Sequence, residues 1–121
     1  MKSALFLINP QTAKAALSPH LIDIIDLFEK NGYAVQVHMT QSKGDACRTV
    51  AALGDKFSLI VCAGGDGTLN ETVTGLLRTE KKPPLGYIPS GTTNDFAVSW
   101  GIPTHPLEAA HTIVQSEPLP M

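Results

Sequence analysis

The stretch LIVCAGGDGTLNE, residues 59–71, decides the fold of this 121-residue chain. Its first five residues form an apolar run with β-branched side chains, which is typical of a buried strand. Three glycines around one carboxylate follow, and a helical pattern begins directly after them. Proteins hold phosphate groups with this order of strand, tight turn and helix N-terminus, because glycine lets backbone amides approach an anion without a Cβ in the way. The stretch therefore predicts an α/β fold with a phosphate site.

The carboxylate of Asp66 is the unusual member of this glycine-rich turn. A carboxylate is repelled by a neighbouring phosphate group unless a cation or a proton lies between them. Asp66 therefore indicates phosphate chemistry that includes a metal ion, rather than phosphate binding alone.

Three other interpretations of the turn fit less well. A dinucleotide-binding fingerprint needs a third glycine at position 70, where Asn70 stands, and it follows the first strand rather than the third. A P-loop needs Gly-Lys-Ser/Thr, which is absent here. An ordinary strand-to-helix connection commonly carries one or two glycines, and three cost backbone entropy that a mere connection does not require.

Strands and helices alternate along the rest of the chain. Apolar runs predict strands over residues 4–8, 33–39, 59–63 and 85–88. The first helix is expected to have Ser18 as its N-cap and Gly32 beyond its end, and Ser42 with Asp45 resembles a capping box for the second. A third helix follows the glycine-rich turn and a fourth follows Pro106. This alternation implies βαβ units, and therefore a three-layer α/β/α fold with a mostly parallel sheet.

Three of these helices have apolar faces that should pack on the sheet. The expected core residues are Leu17, Leu21, Ile24, Ile25 and Phe28 in the first, Leu69, Val73, Leu76 and Leu77 in the third, and Leu107, Ala110, His111 and Val114 in the fourth.

Polar segments follow each predicted strand. They are Asn9, Thr40, residues 64–70 and residues 91–95. Ligands of parallel sheets bind at the carboxyl ends of the strands. We therefore expect these four segments to line one rim of the sheet and to form one site.

Composition excludes several other classes of protein. A chain with 43% hydrophobic and 17% charged residues is typical of a globular domain. The net charge of −2 and the lack of a basic stripe give no reason to expect nucleic acid as a partner. The sequence has no transmembrane segment, since its apolar opening at residues 4–8 is far too short. Cys47 and Cys62 have no metal or redox spacing, which favours reduced thiols in the cytoplasm.

Two motifs together resemble the catalytic domain of diacylglycerol kinases, a group that includes sphingosine and ceramide kinases and soluble bacterial lipid kinases. The motifs are GGDGT with Asn70 and Glu71, at residues 64–71, and PSGTTNDFA, at residues 89–97. The first is shared with NAD kinases, and loosely with phosphofructokinases, whereas the second is far more specific to the lipid kinases. Asn9-Pro10, and Thr40 ahead of GDA at residues 44–46, also match. The family often has a glycine soon after Asn-Pro, and this chain has QTAK at residues 11–14 instead.

The resemblance implies an ATP-dependent lipid kinase that transfers the γ-phosphate to a lipid hydroxyl, with diacylglycerol as the leading substrate and Mg²⁺ as cofactor. It implies a cytoplasmic protein that is peripheral at the membrane surface during turnover. The expected ATP contacts are Asn9, Pro10, Thr40, Gly64, Gly65, Asp66, Gly67, Thr68, Asn70, Glu71, Gly91, Thr92 and Asn94. Asp66 and Asp95 are the expected metal contacts, and Asp66 is also a candidate general base, because sequence alone does not separate these two roles.

The resemblance also implies a division into domains. Residues 1–117 correspond to the nucleotide-binding domain, and residues 118–121 to the start of a linker toward a β-rich domain that supplies lipid contacts and part of the catalytic machinery. We therefore expect residues 1–121 alone to be incomplete for catalysis. Two alternatives stay open: an NAD-kinase-like enzyme acting on a small molecule, and a non-catalytic module that binds nucleotide for regulation.

Overall fold

The computed structural model describes residues 2–11, 17–89 and 105–115. The elements alternate as the sequence predicts. They are β1 (Lys2–Ile8), a 3₁₀ turn (Ser18–His20), α1 (Leu21–Lys30), β2 (Tyr33–Met39), α2 (Asp45–Leu53), a second 3₁₀ turn (Gly54–Lys56), β3 (Leu59–Gly64), α3 (Asp66–Leu76), β4 (Leu85–Pro89) and α4 (Pro106–Gln115). All four predicted strands are confirmed, with small differences at their ends.

The strands in the described ranges form one parallel sheet in the order β2-β1-β3-β4. The chain leaves β1 toward one edge of the sheet to form β2, and it leaves β3 toward the opposite edge to form β4. Neighbouring strands whose connections diverge in this way open a crevice beyond their carboxyl ends, which is where ligands bind in open α/β sheets. In this protein the crevice lies between the ends of β1 and β3.

Helices cover both faces of the sheet, so the predicted three-layer α/β/α fold is confirmed. Alternate residues of β1 point to opposite faces: Phe6 packs with α1 and α4, and Leu5 packs with α2 and α3. The rings of Phe6 and Phe28 meet edge to face, with their centroids 5.0 Å apart. Strands β3 and β4 are buried along their whole length, as expected for strands covered on both sides. No helix in the described residues is both long and apolar enough to span a bilayer.

Both predicted N-caps are wrong, whereas Gly32 lies beyond the end of α1 as predicted, with a φ of 90°. Leu17 occupies the N-cap position of the turn that precedes α1, and Ser18 is the first residue of that turn. At α2 the N-cap is Gly44, whose φ of 86° lies in the left-handed region that glycine tolerates. Asp45 cannot complete a capping box there, because its carboxylate instead accepts hydrogen bonds from Gln41 and His38.

Two predicted core faces need correction, and the face of α1 is as predicted except that Leu27, and not Ile25, packs against the core. Leu77 is 60% exposed, because α3 ends one residue earlier and leaves it at the surface. In α4 the buried residues are Pro106, Ala109, Ala110 and Ile113, and His111 is exposed. Ile113 packs so closely on β4 that a Cβ at Gly86 would lie 2.8 Å from its Cδ1 atom. Leu107, Ala110 and Val114 pack against the core as predicted, so the correction in α4 concerns His111.

Candidate functional site

Backbone hydrogen bonds tie together the carboxyl ends of three strands. The amide of Asn9, just after β1, donates to the Ala63 carbonyl of β3 over 3.1 Å. The amide of Thr40, just after β2, donates to the Ile8 carbonyl of β1 over 2.8 Å. The first polar residue after each of these two strands is therefore held at the same rim of the sheet, as the sequence predicts.

The side chain of Asn9 organises the crevice. Its Oδ1 atom accepts a hydrogen bond from the Gln11 amide over 3.0 Å, which fixes the turn that leaves β1. Its Nδ2 atom donates to the Thr68 Oγ1 atom over 3.2 Å, which links β1 to the first turn of α3. Both sides of the switch point are thereby joined by one polar side chain.

The glycine-rich turn brings the start of α3 close to the end of β3. A Cβ on Gly64 would lie 2.9 Å from both Cβ and Oγ1 of Thr68, so a larger residue would push the helix away. Gly65 is the N-cap of α3 in an extended conformation, and its carbonyl accepts from the Leu69 amide over 3.1 Å. The amides of Gly67 and Thr68 precede Leu69 in the first turn, where amides point out of the helix end and the dipole attracts anions.

A cavity of about 490 Å³ opens at this rim. It falls within the range of roughly 300–1,000 Å³ that small-molecule and cofactor sites occupy. The lining is polar and comes from the segments after β1, β2 and β3: Asn9, Pro10, Gln11, Thr40, Gln41, Ser42, Lys43, Gly67, Thr68 and Glu71. An open polar cavity at a helix N-terminus is suited to a ligand that carries phosphate groups.

Six of the predicted site residues line this cavity, namely Asn9, Pro10, Thr40, Gly67, Thr68 and Glu71. Gly64, Gly65 and Asp66 form the turn beside it. Asn70 is exposed on α3, about 100° around the helix from Glu71, and it does not line the cavity. Gly91, Thr92, Asn94 and Asp95 lie outside the described residues.

The sequence analysis missed four lining residues, Gln11 and the run Gln41, Ser42 and Lys43. The sequence could have indicated this run, because it directly follows Thr40 at the end of a strand that is predicted to reach the rim. Lys43 is a cation at a site where phosphate groups are expected, and that charge was the signal to look for.

Asp66 begins α3 on the side of the turn that faces β4. Its Oδ1 atom is buried. Burial raises the pKa of Tyr87 on β4 far above its ordinary value, and the nearby Cys62 and Asp66 groups raise it further. The Tyr87 phenol therefore stays protonated, and it donates to the Gly64 carbonyl over 3.0 Å. This bond holds the glycine-rich turn against the end of β4.

The acidic residues at the rim are suited to Mg²⁺ rather than to a metal that needs a full protein cage. Within residues 2–11, 17–89 and 105–115, no three His, Cys, Asp or Glu side chains are grouped closely enough to hold a metal by themselves. Mg²⁺ at nucleotide sites takes one or two carboxylates and completes its shell with phosphate oxygens and water. Helix α3 carries two carboxylates that are candidates for such contacts, Asp66 at its first position and Glu71 at the cavity wall.

Comparison with known proteins gives a consistent result. The family model described as the diacylglycerol kinase catalytic domain matches residues 3–121. A diacylglycerol kinase of Bacillus subtilis (strain 168) is 43% identical over 124 aligned positions, which cover 100% of this chain and 41% of that protein. A diacylglycerol kinase of Staphylococcus carnosus (strain TM300) is 36% identical over 94% of this chain and 38% of its own length.

Solved structures agree in fold as well as in sequence. A crystal structure of a diacylglycerol kinase from Bacillus anthracis (strain Sterne) superimposes with a TM-score of 0.84 and 32% sequence identity, over 94% of this chain and 43% of that one. The chain thus spans about two-fifths of the length of the relatives that it matches.

Proposed function

The chain belongs to the diacylglycerol kinase catalytic domain family, and from this we propose that it forms the nucleotide-binding part of an ATP-dependent lipid kinase. The proposed enzyme transfers the γ-phosphate of ATP to the hydroxyl of diacylglycerol. The observation that carries the proposal is the polar cavity at the switch point, bounded on one side by the N-terminus of α3 and on the other by residues 40–43. ATP is the substrate that membership of a kinase family implies.

The proposed roles of the residues follow from the requirements of phosphoryl transfer. This reaction depends on positioning and on charge stabilisation more than on covalent participation of the protein. The amides of Gly65, Gly67 and Thr68 would hold nucleotide phosphates at the positive end of α3. Asn9, with Pro10 beside it, would keep that helix end in place through its bond to Thr68. Thr40, Gly91, Thr92 and Asn94 are the proposed contacts to the remainder of the nucleotide.

Mg²⁺ is the proposed cofactor, and when bound it neutralises negative charge on the nucleotide phosphates. Asp66 and Asp95 are the proposed residues that hold it, with Glu71 available at the cavity wall. Asp66 has an alternative role as the base that accepts the proton of the lipid hydroxyl. Either role fits a carboxylate at the start of α3, on the side that faces β4.

The family to which the chain belongs is the basis for proposing a lipid acceptor and a membrane surface. We propose that residues 1–117 are the nucleotide-binding domain, and that residues 118–121 begin the linker to a β-rich domain that contacts the lipid. Catalysis would then take place in a cleft between two domains, with the protein cytoplasmic and peripheral at the membrane surface. Holding an acceptor hydroxyl in line with the γ-phosphate requires both walls of such a cleft.

A direct assay tests the proposed activity. The full-length protein is incubated with radiolabelled ATP and Mg²⁺, with either diacylglycerol in mixed micelles or NAD as acceptor, and residues 1–121 are assayed in parallel. We expect label in the lipid product from the full-length protein and far less from residues 1–121. Label in NAD alone would contradict the choice of substrate. ATP binding without transfer to either acceptor would favour a regulatory module.

A further inference from the structure

The carboxylate of Asp45 joins three parts of the fold at one point. Its Oδ2 atom accepts a hydrogen bond from the Gln41 amide over 2.6 Å, and its Oδ1 atom accepts from His38 Nε2 and Thr49 Oγ1, each over 3.0 Å. His38 is on β2, Gln41 is in the segment after it, and Thr49 is one turn further along α2. The Asp45 side chain is only 13% exposed, whereas that of His38 is 35% exposed, so the carboxylate at the centre of the network is better shielded from water than its partners.

The network lies directly behind one wall of the cavity. Residues 40–43 form that wall, whereas His38, Asp45 and Thr49 do not line the cavity. Other bonds also hold the wall: the Gln41 side chain donates to the Met39 carbonyl over 2.9 Å, Arg48 donates to Ser42 Oγ over 3.2 Å, and the Asp45 amide donates to the Ser42 carbonyl over 3.1 Å. In the described residues, the hydrogen bond to the Asp45 carboxylate holds the backbone amide of Gln41, and it does so with a charged acceptor.

The carboxylate is ionised under ordinary conditions. Partial burial by itself would raise the pKa of Asp45, but the hydrogen bonds from Gln41, His38 and Thr49, together with the charge of His38 when it is protonated, hold the pKa below its usual value. An ionised carboxylate accepts hydrogen bonds and donates none. His38 must therefore carry its proton on Nε2 when it bonds to Asp45, and all three partners act as donors.

We propose that Asp45 is a positioning residue for nucleotide binding, which acts through the Gln41 amide to fix residues 40–43 as one wall of the site. The proposal rests on the nucleotide site proposed above and adds a residue that does not itself line the cavity. A hydrogen bond to a charged, shielded acceptor is among the stronger ones in a protein. Losing it lets the wall move and is expected to weaken nucleotide binding about tenfold.

Three variants of the full-length protein test this role. Asp45→Asn keeps the shape of the side chain but presents an NH₂ group to one of the donors. Thr49→Val removes one donor without changing the cavity, and Thr49→Ser is its matched control, because the hydroxyl is retained. We expect the KM for ATP to rise about tenfold in Asp45→Asn and severalfold in Thr49→Val. We expect it to stay at the wild-type value in Thr49→Ser, with the KM for diacylglycerol unchanged in all three.

Calorimetric titration with ADP and thermal unfolding complete the test. A merely structural role would lower the folded fraction, and therefore kcat, without a selective rise in the KM for ATP; that pattern would overturn the inference. Equal ADP affinity in the wild type and in Asp45→Asn would overturn the inference and leave the proposed function intact. A wild-type protein that binds no ADP would contradict the proposed function and the inference together.

Discussion

The side-chain amide of Asn9 donates a hydrogen bond to the hydroxyl of Thr68 over 3.2 Å. These residues are 59 positions apart in the chain, and they meet because β1 and β3 are neighbours in the parallel sheet. The bond spans the switch point at which the connections to β2 and β4 diverge. This polar pair therefore links the turn after β1 directly to the helix end that we propose as the phosphate site.

Two substitutions at Thr68 distinguish the effect of its hydrogen bond to Asn9 from the effect of its packing. Thr68→Val removes the acceptor and keeps the volume, whereas Thr68→Ser keeps the hydroxyl and removes a buried methyl group. Each change is expected to lower the free energy of unfolding by about 1 kcal/mol, the first through the hydrogen bond and the second through lost burial. Only Thr68→Val should also weaken ADP binding in calorimetry. Equal ADP affinity in the two variants would show that the bond to Asn9 does not hold the site.

Replacement by alanine is expected to change stability in opposite directions at two glycines of α3, Gly75 and Gly67. Alanine normally stabilises a helix over glycine by up to about 1 kcal/mol. A Cβ on Gly75, however, would lie 2.6 Å from the Cys47 carbonyl and 2.9 Å from Val50 Cβ of α2. Forcing the two helices apart typically costs about 1–3 kcal/mol, which outweighs the gain in propensity. Gly75→Ala should therefore lower the midpoint of urea unfolding.

Gly67→Ala provides the matched comparison in the same helix. A Cβ there has no heavy atom within 4 Å, so the substitution should leave stability unchanged or raise it. Gly67 also lines the cavity, and the added methyl group would occupy space beside the helix end. We expect weaker ADP binding by a protein that is at least as stable as the wild type. Gly67→Ala with unchanged ADP affinity would contradict the placement of nucleotide phosphates at this turn.

Local sequence was sufficient for the strands and for the class of fold. The apolar run at residues 59–63 is buried at every position of β3, because a strand covered by helices on both faces has no solvent side. The rule that ligands bind at the carboxyl ends of parallel strands also predicted that Asn9, Thr40 and the glycine-rich turn share one rim.

The features that sequence did not predict depend on contacts between distant segments. Ser42 and Asp45 have the spacing of a capping box, but His38 on β2 and Thr49 on α2 compete for the Asp45 carboxylate. In α4, the sequence did not predict that Ile113 would be buried through its close approach to Gly86 of β4. Periodicity within one helix does not contain this information, because it identifies an apolar side and not the partner against which that side packs.

Acid should weaken the fold in part through Asp45. The pKa of this carboxyl group is lowered from the ordinary 3.8, largely by hydrogen bonds that only the folded state provides and that outweigh the opposing effect of burial. A lowered folded-state pKa means that the unfolded chain binds the proton more tightly. The stabilisation is therefore complete well above pH 3.8 and is lost as the pH falls through the folded-state pKa.

Asp45→Asn removes this contribution. Urea unfolding of the wild type and the variant, compared between pH 6 and about pH 3, should give a difference in stability that shrinks as the pH falls. Asp23→Asn, at an exposed position on α1, serves as the control for losing one carboxylate elsewhere. A difference between the wild type and Asp45→Asn that stays constant with pH would mean that the Asp45 carboxylate contributes packing alone.

If Asp66 contacts the metal ion as proposed, Asp66→Asn should have opposite effects on ATP binding with and without Mg²⁺. Asp66→Asn removes one negative charge and leaves the shape of the turn nearly unchanged. Without Mg²⁺, the variant should bind ATP more tightly than the wild type, because a carboxylate beside phosphate groups is repulsive. With Mg²⁺, the order should reverse, because the variant lacks a hard anionic oxygen for the cation. The enhancement of ATP binding by Mg²⁺ is therefore expected to fall about tenfold or more in calorimetric titration. An unchanged enhancement, together with a large loss of kcat in the full-length protein, would instead support Asp66 as the base that accepts the proton of the lipid hydroxyl.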